Sequence, residues 1–537
     1  MGHTPTPTQT KPPTGRGVTL AAGLIAAMVI LAGIFFVSSR DGNEDAVDVS
    51  PPVTVDPGIE APRSDDDEDV FEAPELEEGV LGGESEEMEQ PSSPPTTEAF
   101  DSSFPGPSDP VEVVGNNGEP WNEASARALG NIEDFWRAEF PEIFRGEYEP
   151  IEGGFYAYSS NEPIPPCANN RREVANNAYY CGVADVVAWD DEGLFPGVYQ
   201  QAGDLGVGLI LAHEVGHAIQ QRVGFRGLTI TFENQADCYA GAWIASVAEN
   251  PNDGFPVTSG DLDRALAQFV QIADTPGTAA TDPFAHGNAF DRVNGFRDGL
   301  DNGAEKCAGY TDENIVVTQV PFGSQADVAS GGNLPFLTDA PGDDIFDLMP
   351  EDLELFWASE FERRFGEWDP IDGSVVTFGE GESLPCGEND IDLLAFYCAT
   401  DDYIGIEVDT AIRSLNDQFG DFGPGIIIAA QYGFAIESRL GVAEDRLLNS
   451  LQADCYAGVW TASILPTSDR AFDDTETDPD RRILSISPGD LDEAVETLLI
   501  LGDENDTDDN RGTGFERVGA FREGVLNGFE GCSRFDG

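Results

Sequence analysis

Residues 205–243, LGVGLILAHEVGHAIQQRVGFRGLTITFENQADCYAGAW, return without a gap as residues 422–460, FGPGIIIAAQYGFAIESRLGVAEDRLLNSLQADCYAGVW. The echo extends upstream, where Phe135-Trp136 with Glu139-Phe140 recurs as Phe356-Trp357 with Glu360-Phe361. Downstream, Arg292-Val293 with Phe296-Arg297 recurs as Arg517-Val518 with Phe521-Arg522. A chain that repeats its apolar pattern this way must bury the same faces twice. Two copies are too few and too long for a solenoid, so the pattern predicts two homologous globular domains.

Within each copy the spacing is mainly helical. The apolar positions of 205–222 fit a buried helix, 234–248 reads as a second, and 259–273 as a third opened by a Thr-Ser-Gly-Asp cap. Residues 154–190 alternate in the manner of strands and predict a small sheet. The expected class is α+β, mainly helical. The expected domains are 119–315 and 344–537, joined by a Gly/Pro/Asp-containing linker over 316–343.

The first copy contains His213-Glu214-Val215-Gly216-His217. Four residues is one helical turn, so both imidazoles leave the same face. Two neutral imidazoles at that spacing suit a tetrahedral zinc ion, and Glu214 beside them is placed to act as general base. Apolar Leu209, Ile210, Leu211, Ala212 and Val215 surround the motif, so its polar groups need partners to offset burial. A catalytic zinc takes three protein ligands and keeps one position open. Glu233, sixteen residues past His217, is the candidate third ligand; the alternative is a first-turn acid favoured by the helix dipole. Asp237, one turn beyond Glu233, is placed to hold the outer nitrogen of a ligating histidine. His286 is a candidate for stabilising an oxyanion or a fallback ligand, against the alternative of a loop histidine that packs or caps.

The second copy serves as an internal control. His213, Glu214, His217 and Glu233 become Ala430, Gln431, Phe434 and Ser450, and His286 becomes Arg511. Gly216, Gly224 and the Gln-Ala-Asp-Cys-Tyr-Ala-Gly string survive. Glu233 disappears together with the histidines, as a ligand would. Asp237 survives as Asp454, which points to a role beyond the metal. The second domain is therefore expected to be a metal-free pseudoenzyme.

His213 to Gln220 (H-E-x-G-H-x-x-Q), Glu233 to Trp243 (E-x-Q-A-D-C-Y-A-G-x-W), Tyr179-Tyr180-Cys181 and His286-Gly287 with Arg292 and Phe296-Arg297-Asp298-Gly299 together resemble the bacterial putative neutral zinc metallopeptidase family. The resemblance spans about 120–310 and, in degenerate form, 344–534. It implies zincin-like domains, a gluzincin-like zinc site with Glu233 as third ligand, and hydrolysis of peptide or protein substrates. Asn234 and the acidic loops depart from the family pattern and leave substrate preference open. The rival reading is a non-catalytic cell-envelope binding or scaffold protein with a structural zinc, in which the second domain binds a partner or the first domain. Four cysteines per copy allow three pairings. The economical set is Cys167–Cys181 and Cys238–Cys307, repeated as Cys386–Cys398 and Cys455–Cys532.

Residues 18–37 form an uncharged apolar run long enough to span a bilayer as a helix. Lys11 and Arg16 precede it, so residues 1–17 are expected in the cytoplasm and the folded domains outside, on a single-pass cell-membrane protein. Residues 38–118, rich in Asp, Glu, Pro and Ser, read as a disordered, self-repelling tether. The acidic runs 473–480 and 503–509 lack EF-hand spacing and read as solvated loops rather than calcium sites. The net charge of −74, from 101 acidic and 27 basic side chains, argues against nucleic acid as a partner. Adaptation to salty surroundings and a generally acidic secreted protein both account for it.

Overall fold

The computed structural model describes residues 109–535, apart from 251–254, 256, 282–284, 319, 321, 323, 339–341, 372, 374, 442–444, 467–481 and 504–510. The apolar run 18–37, most of the tether, the run 473–480 and most of 503–509 lie outside the described residues. Among the described helices none is long and apolar enough to cross a membrane. Helix makes up 56% and strand 9%, as an α+β, mainly helical class requires.

The first repeat opens with β1 (Val113–Val114) and a long helix α1 (Pro120–Phe144). It continues with β2 (Gly154–Tyr158), β3 (Ala178–Cys181) and β4 (Val186–Asp190), then α2 (Leu194–Val223), α3 (Thr229–Glu249), α4 (Ser259–Val270) and α5 (Ala289–Ala308). The sheet order is β1-β2-β4-β3. β2 runs parallel to β1 and β4, and β3 pairs antiparallel to β4 as an edge strand. After the short α6 (Gln325–Ser330), the second repeat rebuilds the plan. Its elements are α7 (Ile345–Arg364), β5 (Val375–Phe378), β6 (Leu384–Cys386), β7 (Asn389–Ile391), β8 (Ala395–Cys398), β9 (Tyr403–Glu407), α8 (Ala411–Gln418), α9 (Phe422–Leu440), α10 (Arg446–Ile464), α11 (Asp490–Ile500) and α12 (Gly514–Cys532). β5-β9-β8 reproduces the β2-β4-β3 order. The helix α2 is α8 and α9 fused across Gly203, whose φ of 62° breaks the regular backbone.

One boundary differs from the sequence reading. Residues 109–118, assigned to the tether on composition, are packed: Val111 N–H donates to Ala126 O, and Val113 pairs with Phe155. The linker 316–343 is also tied down, since Thr318 donates to Asp291 from both N–H and hydroxyl, and Leu334 N–H donates to Asp421. Polar composition hides such segments because only a few of their residues, such as Val113, enter the core, and backbone hydrogen bonds complete the hold.

Both repeats belong to one compact unit. Phe290 meets Phe521 and Phe296 meets Phe515 edge-to-face, with centroids 6.1 and 6.3 Å apart. The Arg297 guanidinium lies over Phe515, and Arg522 donates to Asn294 and Asp298. These residues are equivalents: Phe296 and Arg297 of α5 correspond to Phe521 and Arg522 of α12. The interface is a pseudo-two-fold one, in which each repeat offers the other the same face.

Inside each repeat the surviving glycines mark helix crossings. A Cβ at Gly241 would sit 1.9 Å from Phe296 O and one at Gly299 would sit 1.7 Å from Cys238 O, so α3 and α5 touch backbone to backbone. Gly458 and Gly524 do the same for α10 and α12. Each crossing carries a disulfide, Cys238–Cys307 and Cys455–Cys532; Cys167–Cys181 and Cys386–Cys398 tie down the strand β3 or β8.

Candidate metal centre

The helix α2 is buried along most of its length, and His213, Glu214 and His217 fall within its C-terminal half. Gly216, between the histidines, lets α3 come close: a Cβ there would meet Ala236 Cα at 3.1 Å. Glu233 lies three residues before Ala236 on α3, and this close crossing carries its carboxylate to the imidazoles. His213 Nε2 is 3.1 Å from His217 Nε2 and 3.2 Å from Glu233 Oε2, and His217 Nε2 is 3.6 Å from Glu233 Oε1. Ligands at the usual zinc distances of about 2.0–2.2 Å, tetrahedrally arranged, stand about 3.3–3.6 Å apart. The spacings are close to that size, with the two imidazoles each nearer a different oxygen of the Glu233 carboxylate, and the three residues form a cluster able to hold one ion.

The outer nitrogens decide which way the imidazoles face. His213 Nδ1 lies 2.6 Å from Asp237 Oδ1, and His217 Nδ1 lies 2.9 Å from Gln220 Oε1. The Gln220 amide is oriented by its own N–H donation to Phe232 O at 2.7 Å, so its oxygen must face the histidine. With both Nδ1 atoms donating to oxygens, both Nε2 atoms turn lone pairs inward, 3.1 Å apart. Two lone pairs at that distance repel unless a cation, a proton or a metal ion, lies between them, so the donor set fits a metal ion. Without an ion the site draws a proton to the same place. Burial opposes charge on His213, yet Asp237 and Glu233 raise its pKa to about 10. Burial likewise opposes charge on Glu233, but His217 and His213 draw it down to about 2. The pocket favours a positive charge at its centre.

Asp237 has a second partner. Arg292 on α5, fully buried, grips it with two bonds of 3.0 Å from Nε and Nη2. The same pair exists without the histidines in the second repeat, where Arg517 holds Asp454 at 2.8 and 3.0 Å. Asp237 therefore braces the α3–α5 crossing and orients His213. Glu214 is buried, and its Oε2 accepts from the Tyr180 backbone N–H of β3 at 2.8 Å. His286 stands apart from the cluster: its side chain is half-exposed, with Nδ1 3.6 Å from Asp274. The fallback-ligand expectation for His286 finds no geometry here.

Arg292, Gln220 and Tyr180 were not singled out as site residues from sequence. The internal repeat carried a usable signal for Arg292, since Arg517 survives along with Asp454. Gln220 becomes Glu437, a buried carboxyl whose pKa burial and Asp454 raise to about 8; its partner histidine is gone.

A metal held by two imidazoles of one helix and a carboxylate of the next, with an acid beside the first imidazole, defines a candidate zinc-dependent hydrolase centre. Residues 111–310, the first repeat, match the model of the family described as "Putative neutral zinc metallopeptidase", and zinc is the cofactor that this likeness implies. The matched region ends before the second repeat. Among curated proteins, the uncharacterized protein YpfJ of Escherichia coli K12 is 31% identical over 123 residues, covering 19% of this chain and 42% of its own length. The uncharacterized protein Rv2575 of Mycobacterium tuberculosis H37Rv is 30% identical over 152 residues, covering 23% of this chain and 52% of its own. The chain thus spans about half the length of the curated relatives it matches, or less. No solved structure matches it.

Proposed function

We propose that the chain is a membrane-anchored, extracytoplasmic zinc metallopeptidase of the gluzincin-like type, with one active site, in the first repeat. The observation that carries this reading is the convergence of the two Nε2 atoms and the Glu233 carboxylate, with Glu214 next in sequence to His213. Zinc held by His213, His217 and Glu233 supplies Lewis-acid activation of a water. Glu214, steadied by Tyr180 N–H, accepts the water's proton and passes it to the leaving amine. The edge strand β3, which carries Tyr180, has an unpaired side on which an extended peptide can add as a further strand. His286, the remaining histidine of the first repeat, is assigned to stabilising the developing oxyanion. The second repeat contributes no peptidase chemistry and serves as a packing partner. The anchor is the run 18–37, which places the folded unit outside the cell membrane.

The test compares zinc content and peptide cleavage of the full chain with those of Glu214→Gln and Glu233→Ala. Glu214→Gln should keep one equivalent of zinc and lose cleavage by roughly 100-fold or more; Glu233→Ala should lose the metal. A Glu214→Gln protein that cleaves as fast as the parent removes the mechanism. A parent that binds no zinc removes the site.

A further inference from the structure

We infer that the second repeat holds a structural calcium ion between Asp421, at the start of α9, and Asp490 and Glu493 of α11. All three side chains are buried, with 3%, 5% and 6% of their surface exposed. Their oxygens converge, each residue offering one atom within 4.8 Å of the others. Calcium takes carboxylate oxygens at about 2.3–2.6 Å in a flexible geometry, whereas magnesium demands a near-ideal octahedron and usually keeps several waters, which a buried three-carboxylate site does not readily admit. Asp421 Oδ1 is buried and has no hydrogen-bond partner, although Oδ2 accepts from Leu334 N–H at 3.0 Å. Glu493 Oε2 accepts from Phe422 N–H at 2.7 Å, and Asp490 accepts from the backbone N–H and hydroxyl of Ser487. Thr497 Oγ1, one turn along α11 from Glu493, is also buried and unpartnered. None of these contacts brings a positive charge. Among the described residues, no arginine, lysine or histidine forms an ion pair with any of the three carboxylates.

The first repeat shows what the arrangement lacks. Asp421 corresponds to Asp204, and the Gly489-Asp490-Leu491-Asp492-Glu493 string corresponds to Gly260-Asp261-Leu262-Asp263-Arg264. There Arg264 pairs with Asp261 at 2.6 Å and Arg127 pairs with Asp204 at 2.6 Å. In the second repeat Glu493 replaces Arg264 and Leu348 stands in register with Arg127. Two built-in cations are gone and a third carboxylate has been added, in a place more deeply buried than its counterpart. Three buried carboxylates without a counter-charge are costly; burial and their mutual repulsion raise Asp490 and Glu493 well above the ordinary carboxyl range. An all-oxygen, anionic cluster selects a hard cation. This cation would anchor α11, whose Asp492 reaches across to α5 of the first repeat.

The experiment uses the full chain, stripped of divalent ions on a chelating resin and restored with one equivalent of zinc. Calcium binding is measured by equilibrium dialysis in physiological salt with magnesium present, so that the acidic surface is screened. The parent should bind one more equivalent of tightly held calcium than Glu493→Gln, and calcium should raise the melting midpoint of the parent but not of the variant. Glu493→Arg restores the residue type of the first repeat and should be stable without calcium and indifferent to it. Equal calcium binding by parent and Glu493→Gln would overturn the site. Displacement by an equal concentration of magnesium would overturn its assignment to calcium.

Discussion

Asp263 and Asp492 occupy the same position in the two repeats, and each caps a helix of the other. Asp263 on α4 accepts from Gly514 and Phe515 N–H at the start of α12, at 3.1 and 2.8 Å. Asp492 on α11 accepts from Phe290 N–H near the start of α5 at 3.2 Å. Each capped helix also has its own cap: Asn288 takes Asp291 N–H and Thr513 takes Glu516 N–H. The orphan donors of each N-terminus are thus shared between a local residue and a carboxylate from the other repeat. Replacing either aspartate with alanine should cost about 0.5–2 kcal/mol, and asparagine should recover most of it. Urea midpoints of the single and double variants check this; unchanged midpoints in the double alanine variant would show the exchange to be inert.

The Asp237–Arg292 and Asp454–Arg517 pairs allow the two duties of Asp237 to be separated. Removing one partner of a buried ion pair costs about 3–5 kcal/mol. Asp237→Ala and Asp454→Ala should both lose stability on that scale. Only Asp237→Ala should also weaken zinc binding, by about 10–100-fold, because it alone touches an imidazole. Zinc titrations of both variants under native conditions distinguish the effects; equal loss of zinc affinity would mean that the metal reports only on folding.

Gly216 and Gly433 set the spacing of equivalent helix pairs. A Cβ at Gly216 would meet Ala236 Cα at 3.1 Å, and one at Gly433 would meet Ala453 Cα at 2.5 Å. Alanine at either position should cost about 1–3 kcal/mol through overpacking, more at 433 than at 216. Gly216→Ala should in addition lower zinc affinity, because it pushes the Glu233 helix away from the histidines. Thermal midpoints and metal titration read the two effects separately.

Asp291 yields a pH signature. It is buried beside Arg292, and burial, offset only in part by bonds from Thr318, raises its pKa to about 7. The folded chain therefore takes up a proton at this group below about pH 7, while the unfolded chain does so only near the ordinary value of about 4. Between those limits the folded state binds more protons, so this group's contribution to stability falls as pH rises from 4 to 7. Asp291→Asn removes that dependence, and its stability relative to the parent should improve from pH 4.5 to pH 8. Denaturation midpoints across that range settle the sign; a variant that loses stability relative to the parent as pH rises would contradict it.

The elements of the site that obey local rules were legible in the sequence. His213 and His217 share a face because four residues make a turn, and Glu233 declared itself by vanishing from the second copy with them. What escaped depends on contacts between distant segments. The Gln220 oxygen faces His217 only because Phe232 O, on another helix, holds the amide nitrogen. Tyr180 acts through its backbone N–H, which no side-chain pattern reveals. Arg292 lies 55 residues from the Asp237 it grips. The union of the repeats was illegible for a related reason: Phe290, Phe296 and Phe515 look like ordinary core residues, and their periodicity does not say which core they enter.

Fusion of the two halves also changes what mutation can do. In a symmetric pair assembled from separate identical chains, every substitution is inherited by both partners, so a change that erased the histidines would erase them twice. Here the shared face joins halves encoded separately within one chain. One half carries Ala430 and Ser450 where the other has His213 and Glu233, and Glu493 where the other has Arg264. The pseudo-two-fold contact outlived the symmetry of the sites it joins, and left each half free to drift in its own direction.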